Sequence, residues 1–251
     1  MLFEDGKEFT RVVGADSANL RKMADRVKNI SEGGSASSSS CWLGAALPRG
    51  FADITDQVDS RGWDLLNADS EFGGAKTLFE SSKPSRLGVD KGKRKAGDYT
   101  DGTDRDWVES DTDPQLMLFM PFLSTLKIHT LHITSLPPSS SAEVEDEIPM
   151  RPRTIQLYTN RAHNLGFEEA EDIQATQTFE LSTKDWDSET GTAKLELRYV
   201  KFQNVTSLVL FVVDGDGEGE RTRVDRIRII GESGEKREMG KLEKIGDEPG
   251  E

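Results

Sequence analysis

The chain has 251 residues, 34% of them apolar and 31% charged, with 46 acidic against 32 basic side chains and a formal charge of -14. A surface of that sign repels phosphate backbones and anionic headgroups, which argues against nucleic acid or membrane as partners. Its one cysteine, Cys41, excludes an intrachain disulfide and a cysteine-built metal site, and the low apolar content predicts one ordinary core with substantial disordered length.

Residues 1–30 open with Asp5-Gly6, a tight-turn dipeptide between Leu2-Phe3 and the apolar positions from Phe9 to Val13, which predicts a hairpin. Asp16 or Ser17 can cap a following helix whose apolar stripe is Leu20, Met23, Val27 and Ile30. Such a unit is too small to bury its own apolar face. The run from Phe3 to Ile30, with Arg11-Val12-Val13-Gly14-Ala15 at its centre, resembles the last two strands and final helix of a thioredoxin domain. The resemblance implies a truncated gene product, because the Trp-Cys-Gly-Pro-Cys active site of that fold has no counterpart in the sequence. Two-thiol exchange needs an attacking thiolate and a resolving partner, and Cys41 cannot supply both. No signal pattern opens the chain, and no apolar run approaches the roughly 20 residues of a membrane span, so an intracellular location is the default.

Residues 31–50 are a flexible Ser/Gly linker, in which Cys41 reads as incidental for want of a nearby His or Lys to activate it. Order resumes at Phe51, with Ile54, Val58, Trp63, Leu65 and Leu66 as core positions and a short segment from Phe72 to Phe79. Residues 81–106 are polar and aperiodic, predicting a long disordered loop; its Lys91-Gly92-Lys93-Arg94-Lys95 fits either a solvated run or a nuclear-import patch. Gln115 to Phe122 is apolar on both parities, as in a strand covered on both faces or packed under a loop. Another strand is predicted from Leu126 to Ile133. Its His129 and His132, three residues apart, should point to opposite faces, which argues against a shared metal.

Residues 135–152 form a second acidic Pro/Ser loop, and Arg153 to Tyr158 alternates as a strand. Glu168, Glu169, Glu171 and Asp172 lie in a turn or short helix and read as a solvated face rather than an acid–base pair. After a short strand from Thr178 to Leu181 comes Leu195 to Gly231, which reads as a β-meander: two apolar segments, an acidic glycine turn, and Arg alternating with Val or Ile. Counting Asp214 as one, acidic groups at positions 1, 3, 5, 7 and 12 with glycine at 6 approach a calcium loop. Asp214, Asp216, Glu218 and Glu220 are therefore the metal candidates. Position 12 is Asp225, too short to replace the usual bidentate Glu, and the flanks are strands; Arg221 and Arg223 can neutralise the carboxylates. A solvated hairpin turn is the better reading, and no metal or other cofactor is assigned.

Five pieces carry a second resemblance: ESDTDPQL (109–116), TIQLYTNR (154–161), LGFEEAED (165–172), RYVKFQNVTSLVLFV (198–212) and TRVDRIRIIG (222–231). From Asp53 to about Gly240 the chain resembles the PITH domain, the proteasome-interacting module of thioredoxin-like proteins. The resemblance implies a mainly β fold, a jelly-roll-like β-sandwich over residues 51–240, preceded by the thioredoxin fragment and linker and followed by a charged tail at 241–251. It implies no catalytic centre and a monomer that docks to the regulatory particle of the proteasome in cytoplasm and nucleus. Expected contacts are Glu109, Ser110, Asp111 and Asp113 in one loop and Lys201, Gln203 and Asn204 in another, with Tyr199 and Phe202 in the core. Two alternatives stand beside it: a small-ligand-binding β-sandwich, by fold analogy alone, and a thioredoxin-type oxidoreductase, if the missing thioredoxin half belongs to the full protein.

Overall fold

The computed structural model describes residues 41–88, 105–138 and 148–234, together with the backbone of two short strands near the N-terminus. Those two, β1 (Leu2–Glu4) and β2 (Lys7–Thr10), pair antiparallel around positions 5–6, as the Asp5-Gly6 turn predicts. The expected helix after them, the Ser/Gly run, the basic run at 91–95 and the charged tail lie outside the described residues. Residues 1–41 form one compact unit and 42–251 another.

The second unit is organised around a single strand. After β3 (Ala52–Asp53), β4 (Asp64–Leu66) and β5 (Val108–Glu109), the chain runs through β6 (Leu116–Thr134) for 19 residues. The two strands expected at 115–122 and 126–133 are thus one, which bends from one layer to the other where its pairing with β10 is interrupted, between Pro121 and Leu126. Its first half pairs with β4 and with β10 (Val205–Gly215), which continues the layer through β7 (Pro152–Thr159) to β8 (Gln177–Glu180). Its second half pairs with β9 (Thr192–Glu196) and with β12 (Arg226–Ser233), whose other neighbour is β3. A small ribbon, β5 with β11 (Arg223–Val224), closes one end. The result is a mainly antiparallel, jelly-roll-like β-sandwich whose two layers share β6.

Between the layers lies one core. Leu116, Leu118 and Met120 of β6 meet Leu208, Leu210 and Val212 of β10 on one side, with Leu131, Ile133, Ile227 and Ile229 opposite. The other parity of the first layer is also covered: Met117, Phe119, Val209, Phe211 and Tyr158 pack under Leu165 and Ala170 of the segment holding helix Phe167–Asp172. That double coverage is why Leu116 to Phe122 is apolar on both parities. Glu168, Glu169, Glu171 and Asp172 stay exposed on that helix.

Three expectations change. The stretch from Leu195 to Gly231 is no meander: β9, β10 and β12 do not pair with one another, and each pairs with β6 instead. A 19-residue strand offers enough backbone donors and acceptors to serve all three, so the acidic turn crosses between layers rather than closing a hairpin. Second, His129 and His132 face the same side. Gly231 pairs with Ile128 and Ile230 with Thr130, leaving His129 as the extra residue of a bulge, so Ile128 and Leu131 both enter the core. Gly231 makes this possible, because a Cβ there would lie 2.1 Å from the Lys127 carbonyl oxygen. Third, order extends into both polar loops: Ser135, Leu136 and Met150 are buried, and residues 81–88 include a helical turn, Ser85–Gly88.

Candidate functional site

The start and finish of β6 lie together at one end of the sandwich, beside residues 222–225: Ser110 N–H donates to the Thr222 carbonyl (2.9 Å) and Asp225 N–H to that of Thr134 (2.8 Å). At this loop end sits the ESDTDPQL motif. Its organiser is Asn67, one of two described non-glycine residues with positive φ (59°). The Asn67 amide donates to Asp113 Oδ1 (2.8 Å) and to the Gln115 carbonyl (2.7 Å), while Thr112 Oγ1 donates to its Oδ1 (3.0 Å). Ser110 is fully buried and its Oγ accepts from Thr222 N–H (2.9 Å). Glu109 is buried too, accepting from Trp107 Nε1 at 2.7 Å. Burial raises the Glu109 pKa, opposed by the Trp107 hydrogen bond and by Arg223 and Arg221. Of the four residues expected there as contacts, only Asp111 and Asp113 reach solvent.

TRVDRIRIIG shares this end. Arg223 and Asp225 form a buried bidentate pair at 3.0 and 2.6 Å, with the guanidinium 3.9 Å from the Trp107 ring centre. Asp225 also accepts from Leu136 N–H (2.8 Å). On the outer face of β12, Arg226 reaches Asp106 Oδ2 (2.7 Å) and the Ser82 carbonyl (3.1 Å). Arg228 donates to the carbonyls of Trp42 (2.6 Å) and Glu80. These alternating arginines are therefore buried hydrogen-bond hubs that hold residues 42, 80–82 and 106 against the sheet. Beside Arg228, His132 is buried with Nδ1 2.8 Å from the Leu43 carbonyl and Nε2 without a partner. Burial lowers its pKa; the Leu43 hydrogen bond raises it, Lys194 lowers it and Asp53 raises it.

The acidic turn resolves differently from the calcium pattern. Asp214 belongs to β10 and is held by Arg153 and by Thr154 N–H (2.8 Å). Burial raises the Asp214 pKa, but those hydrogen bonds outweigh it and leave it lowered. Arg153 does the neutralising expected of Arg221 and Arg223, which pair with Asp69 and Asp225 instead. Asp216 Oδ1 accepts from Arg151 N–H (3.0 Å), and Glu218 and Glu220 are exposed. Among the described residues no three acidic, His or Cys side chains converge on one point.

Lys201, Gln203 and Asn204 lie at the opposite end, near the bend of β6, where Val205 pairs with Leu126. Asp111 and Asp113 sit beyond Leu116, which pairs with Val212, so the two expected contact groups are separated by the length of β10, on the order of 20 Å. They do not form one patch. A second positive-φ asparagine, Asn160 (58°), steadies the turn end, its amide donating to the Asn204 carbonyl (3.0 Å) and its Oδ1 accepting from Thr206 N–H (2.8 Å). The 3-10 turn Tyr199–Phe202 leads into it, with Phe202 fully buried, Tyr199 half-buried and Val200 85% exposed. Lys201 Nζ donates to the Thr176 carbonyl at 2.8 Å. Asn67 and Asn160 are the organisers that residue-type reasoning missed; their signal was an asparagine ending a strand where the chain must turn left-handed.

The PITH domain matches residues 44–247. The chain belongs to the PITH domain family. It is 31% identical over 245 residues to thioredoxin-like protein 1 of Schizosaccharomyces pombe, covering 98% of this chain and 72% of that one. A PITH domain-containing protein of the same yeast is 28% identical over 128 residues, covering 51% and 56%. What this chain shares with them in the PITH region is an interaction domain, not an oxidoreductase one. Among solved structures, the family 32 carbohydrate-binding module of C. perfringens NanJ in complex with galactose superposes with a TM-score of 0.41 at 6% identity, covering 72% of this chain and 98% of that one. A likeness of that size says nothing about ligands.

Proposed function

We propose that this PITH-domain chain is a non-catalytic docking module for the regulatory particle of the proteasome, working in cytoplasm and nucleus. The observation that carries this reading is membership of the PITH family across residues 44–247. The exposed turn around Val200 supports it, because an apolar side chain held out on a preformed turn can be buried by a partner at little ordering cost. The test is retention of the intact chain by immobilised, purified regulatory particles at low salt. Folded protein that flows through would overturn the proposal. Thiol–disulfide turnover is no part of this reading, since Cys41 has no resolving thiol in the 251 residues. Insulin reduction by the chain alone should stay at the uncatalysed rate.

A further inference from the structure

Three separate segments meet on the outer face of the second layer, near the bend of β6. Phe51 stacks on His129 with ring centres 4.0 Å apart, and Tyr199 stands 6.3 Å from each. All three rings are half-buried. Val200, 85% exposed, follows Tyr199 on the same turn, and Leu47, 41% exposed, lies four residues before Phe51; they are two of the three large hydrophobic side chains left exposed among the described residues.

The charge around this platform runs against that of the chain. Each of the three segments brings an exposed cation: Arg49 two residues before Phe51, Lys127 two residues before His129, and Arg198 and Lys201 on either side of Tyr199-Val200. Lys127 is paired with Glu232, and Lys201 donates to a carbonyl rather than a carboxylate. Neither Arg49 nor Arg198 has a carboxylate partner among the described residues, although acidic residues outnumber basic ones by 14 in the whole chain. Glu196 is the exposed carboxylate nearest in sequence, two residues before Arg198. The platform is also preformed: Leu197 N–H donates to the His129 carbonyl (2.9 Å), Arg198 N–H to Gln177 Oε1 (2.8 Å), and Phe202 roots the turn in the core. A ready-made apolar surface costs little ordering entropy on binding, and cations rimming it favour an oppositely charged partner.

We infer that the Phe51–His129–Tyr199 platform with Val200 is a docking surface for an acidic, extended segment of a partner protein. An aliphatic or aromatic anchor of that segment covers Val200, and its carboxylates meet Arg49 and Arg198. The inference rests on the interaction reading above and gives the partner its chemistry.

The probe is a fluorescein-labelled synthetic peptide of Glu and Asp with a central Leu-Phe pair, titrated with the intact chain and followed by anisotropy. Binding is expected to weaken as salt rises and to fall about tenfold or more in Val200→Ser, the worth of one buried valine side chain, and in the double variant Arg49→Glu/Arg198→Glu. It should be absent for a twin peptide with Lys in place of the acids. These positions are exposed, so unchanged melting temperatures establish that the variants are folded. No binding at low salt, equal binding of the Lys twin, or equal binding by the variants would each overturn the inference. Regulatory-particle retention measured in parallel separates the two readings. Particles held equally by wild type and variants would leave the docking proposal standing and sink this surface. Patch-dependent peptide binding without particle retention would do the reverse.

Discussion

At the loop end of the sandwich, Arg223, Asp225, Arg226 and Arg228 lie almost wholly out of solvent: Arg223 pairs with Asp225, which also accepts from Leu136 N–H, and Arg226 and Arg228 donate to a carboxylate and carbonyls of distant segments. At the turn end, Arg49 and Arg198 are exposed and meet no carboxylate among the described residues, beside an exposed valine. Both ends carry family motifs rich in charge, and they use it for different purposes. Buried charge with complete partners fixes how segments 42–44, 80–82 and 106 lie on the sheet, whereas exposed cations next to exposed apolar surface are available to another molecule. A family motif is thus not by itself a contact surface. Glu109 and Ser110 are held by Trp107 and Thr222, so this motif's first two residues serve the fold.

The largest effect that distinguishes the ends should come from Asp225→Ala. It strands the Arg223 guanidinium in the interior and removes the acceptor of Leu136 N–H, so chemical denaturation should show a loss of about 3–5 kcal/mol. Replacing Arg223 and Asp225 together by Met and Leu should recover the part due to the stranded charge, leaving the cost of the unpartnered Leu136 N–H, about 1–3 kcal/mol. If Asp225→Ala costs no more than an ordinary surface change, the loop end is not held by its buried pair. Next in size, Phe202→Ala at the turn end should cost about 3–4 kcal/mol, because the side chain is fully enclosed beneath an otherwise exposed turn. The turn end is then rooted by apolar burial, the loop end by charge.

What the sequence made legible follows from local chemistry. The double-sided apolar run Leu116 to Phe122, the strand of Arg153 to Tyr158 and the solvated Glu168–Asp172 face all depend on side chains read against a known period. Partner choice does not. Nothing local in Leu195 to Gly231 says that β9, β10 and β12 each pair with a strand roughly 60 to 110 residues earlier rather than with one another. The arginines of TRVDRIRIIG alternate as solvent-facing residues would, yet they are buried because Trp42, Glu80, Ser82 and Asp106 come to cover them. The bulge at His129 depends on how closely Gly231 approaches Lys127, a distance visible only once the strands are paired. For the candidate site, the turn holding Lys201 to Asn204 was found from the motif, while its aromatic platform needed Phe51 and His129 from two other segments.

A pH series probes the strap over the arginines. His132 is buried as the neutral ring, and the charges that face it are Arg228 across the strand pair, Lys194 on β9 and Asp53 on β3; the covering residues Trp42 to Gly44 carry none. Its pKa is lowered in the folded chain, so below about 6.5 the unfolded chain binds the proton that the folded one resists. Stability from this group is complete above that pH and declines as pH falls below it toward the depressed folded value. His132→Gln should flatten that segment of the stability–pH curve, leaving the carboxylate-driven loss at lower pH unchanged. Curves for wild type and variant that stay parallel from pH 7 to 5 would rule His132 out as the cause.

The smallest stability effect belongs to the residue expected to matter most for binding. Val200 makes little contact with its own chain, so Val200→Ser should change unfolding free energy by less than about 0.5 kcal/mol. If the turn end is an interface, the same substitution should reduce retention of the intact chain on immobilised regulatory particles while leaving melting and far-UV circular dichroism untouched. Asp113→Ala at the loop end supplies the opposing control. It removes a carboxylate that accepts from the Asn67 amide and from Gln115 N–H, so it should lower stability by about 1 kcal/mol and leave retention unchanged. A reversal, with binding lost at Asp113 and kept at Val200, would move the interface to the loop end and show that the exposed carboxylates there, rather than the apolar turn, face the partner.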